Sequence, residues 1–324
     1  MNIIPFKKEH TREAGELLYE AYQTERAAVP ALPDCGGAEY FAQMASELAG
    51  NGLGVAAIED SSLQGFLTGM AAGELFGVSQ GIYIPLHGHG VKGRDRQLLY
   101  QQLYAAASEI WVQKGLLSHV ITLYAHDDAA VNAWFFLDFG LRCVDAIRPL
   151  DGVPASGKDL PDIRRVEPKD AGILLDLDRE HWRYYRNAPM FMNVQEDCTM
   201  EGLRDWLSQR DQYIWAAFEN GVPVAYMMLR HGGETFASDD EKSMNICGAY
   251  TREGVRKSGY GAAVLQTIVS WLRENGYACL GVDYESFNIQ GSRFWQKHFT
   301  PFTYSLTRRI DERAAKLAYG ISSM

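Results

Sequence analysis

The sequence predicts an α/β protein (α+β in some schemes) built as two successive domains, each a mixed β-sheet flanked by helices. Three observations carry this. The chain repeats itself at one spacing. Strand-like and helix-like stretches alternate only in part, the pattern of a mixed sheet rather than a purely parallel one. A segment rich in Gly, Pro and Asp separates the copies. The length of 324 residues is enough for two domains of ordinary size.

The repeat is legible in three places. "IIPFKKEHTREAGELL" near the start, with Ala14-Gly15-Glu16-Leu17-Leu18, matches "IRRVEPKDAGILL", with Ala171-Gly172-Ile173-Leu174-Leu175. Both read as a short strand, a polar turn and an amphipathic helix. "VAAIED" from Val55 matches "WAAFEN" from Trp215, each a strand running into a hairpin turn. "NAWFFLDFGL" from Asn132 matches "GSRFWQKHFT" from Gly291. The offsets stay between 157 and 160 residues, so the halves are 1–150 and 163–324, joined by a linker at 151–162, "DGVPASGKDLPD".

The second half reads clearly in order. A strand at Ile163 to Val166 leads to a helical stretch from about Asp170. A helix at Met200 to Ser208 carries Leu203, Trp206 and Leu207 as its apolar stripe. Strands "YIWAAFEN" and "PVAYMMLR" flank an Asn220-Gly221 turn, and "MNICGAY" follows. A helix opening at Gly259 has Val264, Leu265, Ile268, Val269 and Leu272 at helical spacing and stops at Asn275-Gly276. Then come strand "CLGVDYE", short helix "SRFWQKH" and closing strand "FTYSLTRRI".

Composition narrows the function classes. Apolar residues make up 47% and charged residues 22%, the profile of a soluble globular protein. A net charge of -10 disfavours non-specific nucleic-acid binding while leaving room for a local basic site for a small anion. Cys35, Cys143, Cys198, Cys247 and Cys279 are scattered without a CxxC pair, the pattern of free thiols in a reducing cytoplasm. "MNIIPFKKEH" is too soon charged for a signal peptide. Between Ser61 and Val91, Gly65, Gly69, Gly73, Gly77 and Gly81 recur every fourth position, as in packed membrane helices. Pro85, His87 and His89 argue instead for strands and turns, so no membrane partner is expected. His87-x-His89 lacks a carboxylate or Cys partner nearby, so a loop role is expected and no metal.

"VRKSGYGAAVL", from Val255 to Leu265, sets a basic glycine loop between a strand and a long helix. A helix N-terminus leaves backbone N–H groups unpaired and carries positive potential, and glycines let a ligand approach them. Arg256 and Lys257 add charge and Ser258 a hydroxyl, so a pyrophosphate is the natural guest. The P-loop is excluded because no Lys-Ser/Thr follows the glycines. The dinucleotide fingerprint is excluded because Val264 stands at its third glycine.

What remains is Arg-x-x-Gly-x-Gly, at Arg256, Gly259 and Gly261. This resembles the acyl-CoA-binding motif of the GNAT superfamily of N-acetyltransferases. Downstream, "VDYESFNIQGSRFWQKHF" supplies Asn288, Gly291 and Phe294-Trp295 where the family has a strand ending in Asn and a helix with a Phe-Tyr-like pair. "NAWFFLDFGL" resembles the same ending in the first half. The resemblance thus covers nearly the whole chain as two tandem GNAT-like domains. It implies acetyl-CoA as acyl donor, held by Ala249, Tyr250, Thr251, Arg256, Lys257, Ser258, Gly259, Tyr260, Gly261, Asn288 and Phe294. In the first half, "HGHGVKGRDRQLLYQQL" keeps Gly93 but puts Asp95 where the second glycine belongs. A carboxylate there repels a pyrophosphate, so that domain is expected to be degenerate.

The resemblance implies direct attack of a primary amine on the thioester within a ternary complex. The amine must lose a proton, the oxyanion needs donors, and the leaving thiolate benefits from an acid. Asp283 and Glu285 alternate with Val282 and Tyr284 and so face one side of their strand. Glu285 is the favoured base. Trp295 occupies the position of the family's frequent acid, a tyrosine, so Tyr250, Tyr284 or Tyr304 must act instead, or no dedicated acid exists. The acceptor is a small-molecule or a peptide or protein amine, cationic if the acidity is a guide, and a monomer is slightly favoured. Two other readings stand beside this one. One is a tandem acyl-CoA-binding or sensing protein without efficient transfer. The other is a transferase using aminoacyl-tRNA or longer acyl chains; the intact loop and the acidic charge argue against tRNA as donor.

Overall fold

The computed structural model describes residues 1–151, 162–194 and 199–320. The chain opens with β1 (Asn2–Pro5), α1 (Thr11–Ala28), α2 (Ala38–Leu48), β2 (Val55–Glu59), β3 (Ser62–Leu67), β4 (Met70–Ala72) and β5 (Gly81–Ile84). Then follow β6 (His89–Val91), α3 (Arg96–Gln113), β7 (Ser118–Tyr124), α4 (Asp128–Phe135) and β8 (Gly140–Pro149). After the linker come β9 (Asp162–Val166), α5 (Leu175–Arg186), α6 (Met200–Leu207), β10 (Gln212–Glu219), β11 (Val222–His231) and β12 (Ser243–Thr251). The remainder is α7 (Tyr260–Glu274), β13 (Cys279–Glu285), α8 (Ile289–Trp295), β14 (Thr300–Arg309) and α9 (Glu312–Tyr319).

Contacts divide the chain into two compact units, Met1–Val144 with Pro301–Met324, and Asp145–Thr300. These bounds differ from the halves read in the sequence, 1–150 and 163–324. The physical reason is β14, which pairs antiparallel with β7 from Thr303↔Tyr124 to Arg309↔Ser118. Beyond it, Ala315 of α9 packs with Val112 and Leu117. The last strand and helix therefore bond within the first unit. The linker expected at 151–162 lies almost wholly outside the described residues.

The first unit holds strands in the order β1-β2-β3-β6 and β4-β5-β7-β14. Its core gathers Trp111, Trp134 and Tyr104 with aliphatic side chains of β5, β7 and α3. The stretch with a glycine at every fourth position forms β3 to β5 and their turns. Among the described residues no helix is long and apolar enough to cross a membrane.

The second unit holds β13-β12-β11-β10-β9, antiparallel except for β12 and β13, which run parallel. Both faces are covered, as an α/β fold requires. One face receives α7, whose Val264, Leu265, Ile268, Val269 and Leu272 are buried. Each such side chain contributes about 1.5–3 kcal/mol by leaving water. Trp271 of α7 meets Tyr213 and Trp215 of β10, with ring centroids 4.8 and 6.0 Å apart. The other face receives Leu174, Leu177, Leu203 and Leu207, which pack with Ile214, Ala216 and Tyr226. The hydroxyl of Thr199 caps α6 by accepting the Gly202 N–H at 3.0 Å.

Candidate functional site

The site begins where two strands part. β12 and β13 pair in parallel from Ser243↔Cys279 to Ile246↔Val282, and the ladder stops there although both strands continue. One residue later β12 is irregular: Met228 of β11 faces Gly248, while Leu229 faces Ile246. Cys247 is thus an extra residue, a β-bulge, which bends its strand and redirects its backbone. Beyond the bulge β12 stays with β11 as far as Thr251↔Ala225. A fork opens between Cys247–Thr251 and Asp283–Glu285. A cavity of about 630 Å³ occupies it, lined by Ala249, Tyr250 and Thr251 on one strand and Val282, Asp283 and Tyr284 on the other.

The mouth of α7 forms a second wall. Gly259 is its N-cap, with φ +93°, and has no capping side chain. That φ favours glycine, since an L side chain meets its own backbone there. Lys257 is also left-handed, with φ +68°. Left-handed residues on either side of Ser258 turn successive N–H groups into the kind of concavity that binds anions. The Ala263 N–H bonds back to the Gly259 carbonyl at 2.9 Å. By helix geometry the N–H groups of the preceding turn have no intrahelical acceptor. A Cβ on Gly261 would come 3.4 Å from Thr251 Oγ1 and 3.8 Å from the Phe294 ring, so a larger side chain there would enter the fork. Lys257, Gly259, Tyr260 and Gly261 line the cavity, whereas Ser258 does not.

Asn288 closes the far side. Its Oδ1 accepts the Gly291 N–H at 3.0 Å, which starts α8 three residues before the Ser292 start read from the sequence. Gly291 is needed for this approach, because a Cβ would lie 2.8 Å from Asn288 Nδ2. Asn288 Oδ1 also accepts the Tyr184 hydroxyl of α5 at 2.8 Å. Tyr184 and Tyr250 both flank Arg256, whose guanidinium carbon lies 4.9 and 5.4 Å from their ring centroids. Arg256 Nε donates to the Thr251 carbonyl at 3.0 Å. Its side chain therefore braces the loop against α5 as well as supplying charge. Burial raises both phenols, so both stay protonated near neutrality.

The carboxylates divide. Residues paired across a ladder share a face, so Asp283 follows Gly281 and Asn245 onto the face that carries α5 and α6. Asp283 lines the cavity; Glu285, the favoured base, does not. Glu285 ends the strand, and its carbonyl takes the Asn288 N–H at 3.0 Å and the Ser292 hydroxyl at 3.1 Å as the chain turns into α8. The Asp283 carboxyl stands exposed on the cavity wall, and the protein packed around it still pushes it up to about 6 by desolvation, with Glu234 adding to the rise and Arg230 opposing it. Burial also holds the Cys247 thiol at about 11, hence neutral. Tyr284 and Trp295 are both buried and both line the cavity.

A polar network under the α5 face escaped sequence reasoning. Asp178 accepts the Tyr226 hydroxyl at 2.5 Å and the Trp182 indole N–H at 2.9 Å. His181 Nδ1 meets the same Tyr226 hydroxyl at 2.7 Å, and its ring stacks on Tyr250. Burial drives His181 down to about 4, so it is neutral. The signal was present in "DLDREHWRYYRN", a polar helix unusually rich in aromatic residues, but its partners on β11 and β12 lie at least 45 residues away.

The first unit has the matching pieces in a closed form. Gly81–Ile84 pair in parallel with Ser118–Ile121, as Ser243–Ile246 do with Cys279–Val282. In place of the bulge stands Pro85 with a short 3-10 turn, Leu86–Gly88. His89 then faces Leu67, as Ala249 faces Met227. The buried His89 ring spans to the Thr122 carbonyl at 2.9 Å and the Tyr100 hydroxyl at 3.3 Å. Asp95 caps α3 by accepting the Leu98 N–H at 3.1 Å, and Arg96 pairs with Asp127, the cap of α4. Among the described residues no cluster of three or more His, Cys, Asp or Glu could hold a metal ion.

Comparison with known proteins places this geometry. Residues 174–299 match the family model described as "Acetyltransferase (GNAT) family". No curated protein matches the chain. Among solved structures, a GCN5-related N-acetyltransferase from Sphaerobacter thermophilus shares the fold, with TM-score 0.58 and 14% identity over 95% of each chain. A GNAT-family acetyltransferase from Colwellia psychrerythraea aligns over 96% of this chain and all of its own, at 12% identity and TM-score 0.48. The family match spans the parted strands, the glycine loop and the asparagine-capped helix, and these residues, 174–299, form a domain of the GNAT family of acetyltransferases.

Proposed function

We propose that the second unit transfers an acetyl group from acetyl-CoA to a primary amine by direct attack in a ternary complex. The observation that carries this is the fork between β12 and β13, which opens onto the uncapped N-terminus of α7. The loop from Arg256 to Gly261 suits a pyrophosphate, through N–H groups and Lys257. From Ala249 to Thr251, the N–H groups that point toward the departed β13 rather than to β11 suit the pantetheine and the thioester oxygen. Ser258 serves through its backbone. Asn288 and Phe294 wall the same slot.

Asp283, rather than Glu285, takes the proton of the attacking amine, since it lines the cavity on the α5 side and its pKa of about 6 suits a base near neutrality. The nitrogen bonds to the carbonyl carbon, one N–H proton passes to Asp283, and the carbon–sulfur bond breaks to release the thiol form of the carrier. Of the phenols that line the cavity, Tyr250 and Tyr284 are the acids proposed for the leaving sulfur. The first unit supplies scaffold, because the His89 ring bridges to Thr122 and Tyr100 and Asp95 caps α3 with a carboxylate where the second unit has an uncapped helix mouth. Five scattered cysteines without a CxxC pair fit a cytoplasmic setting.

The test is calorimetric titration with acetyl-CoA, followed by CoA release against a panel of amines. Gly261→Asp should lower acetyl-CoA affinity by about 100-fold or more by setting a carboxylate at the helix mouth. Unchanged affinity in that variant counts against the loop as the pyrophosphate site. Tight binding without CoA release on any amine favours the binding or sensing role instead.

A further inference from the structure

The cavity is far more basic than the protein around it. The chain carries a net charge of -10, yet Arg256, Lys257, Arg293 and Lys297 line this cavity against a single carboxylate, Asp283. Two of these cations are placed where the loop does not need them. Arg293 and Lys297 stand four residues apart on α8 and the turn that continues it, hence on one face. Between them in sequence, Phe294 comes within 3.8 Å of where a Cβ on Gly261 would lie, so α8 passes beside the helix mouth. His298 lines the cavity too, packed on Phe294 at 4.8 Å. Desolvation first, then Arg148 and Lys297, depress its protonation. Among the described residues neither Arg293 nor Lys297 pairs with a carboxylate, and both are exposed to receive a ligand.

Resting on the acyl-CoA reading above, we infer that Arg293 and Lys297 form a second anion subsite, distinct from the α7 mouth, that takes a phosphate monoester. In an acyl-CoA that group is the 3′-phosphate of the ribose. The pyrophosphate is met by backbone N–H groups and Lys257, whereas a terminal dianion is met by side-chain cations that form charge-assisted hydrogen bonds. The consequence is selection of CoA over carriers that lack this phosphate.

Calorimetry on the full chain tests this with CoA and 3′-dephospho-CoA as probes. The wild type should bind CoA about tenfold more tightly, with the gap narrowing as salt is raised. Arg293→Ala with Lys297→Ala should bind both probes alike, at the wild-type affinity for dephospho-CoA. Both substitutions are at exposed positions, and an unchanged circular-dichroism melt checks the fold. Equal wild-type affinity for the two probes overturns the subsite. So does a double variant that loses affinity for both probes in parallel, since the cations would then serve the pyrophosphate. Failure of the wild type to bind either probe overturns the acyl-CoA reading itself, a result distinguishable from the other two.

Discussion

At the scale of single residues, the base is the sharpest case. Strand alternation put Asp283 and Glu285 on one side, and so could not choose between them. The proposal of Asp283 rests on where the strand ends: Glu285 lies at the turn into α8, while Asp283 is exposed on the cavity wall. A base acts when deprotonated, so kcat/KM should rise with pH through about 6, the value to which desolvation lifts Asp283. Asp283→Asn should lower kcat/KM by about 100-fold or more and abolish that limb. A variant that keeps both rate and limb would assign the proton to another group. Arg256 teaches a related lesson. Its charge was legible beside the glycines, but its stacking on Tyr184 and Tyr250 was not, because those rings come from α5 and β12.

At the scale of elements, helices and glycines were the legible part. The apolar spacing of α7 and its Asn275-Gly276 stop are local facts, and local facts can be read from one segment. Gly259 is likewise demanded locally, by φ +93° at an uncapped helix start. Gly259→Ala should cost about 1–2 kcal/mol and weaken CoA binding, measured by denaturant unfolding and calorimetry. An unfolding midpoint and affinity both equal to wild type would show that the left-handed turn is dispensable. The fork was not legible. It depends on a register shift between Met228 and Leu229 opposite Cys247, and registers are set by a partner strand rather than by the strand's own residues. The network of Asp178, His181 and Tyr226 escaped for the same reason.

At the scale of the whole molecule, buried histidines govern the response to acid. His87, His119 and His181 are held at about 4, below their ordinary 6.5, chiefly by desolvation, and His89 is lowered in the same way. The unfolded chain therefore binds more protons than the folded one between about pH 6.5 and 4, and stability falls as pH drops through that window. Asp283 and Glu25, raised in the fold, act in the opposite sense but are fewer. Denaturant midpoints measured from pH 7 down to 4.5 should decline steadily. A flat or rising series would mean that these rings gain protons without unfolding.

The sequence by itself determined the fold class, the order of elements in the second half, the glycine loop and its likeness to one superfamily. All of these rest on contiguous residues, where periodicity, capping and spacing act within a dozen positions. Only the tertiary structure decided which carboxylate faces the cavity, how His89 fills the first unit's slot, and that β14 pairs with β7. Each of those depends on strand pairing between segments far apart in the chain, and a pairing partner is not encoded in either strand alone.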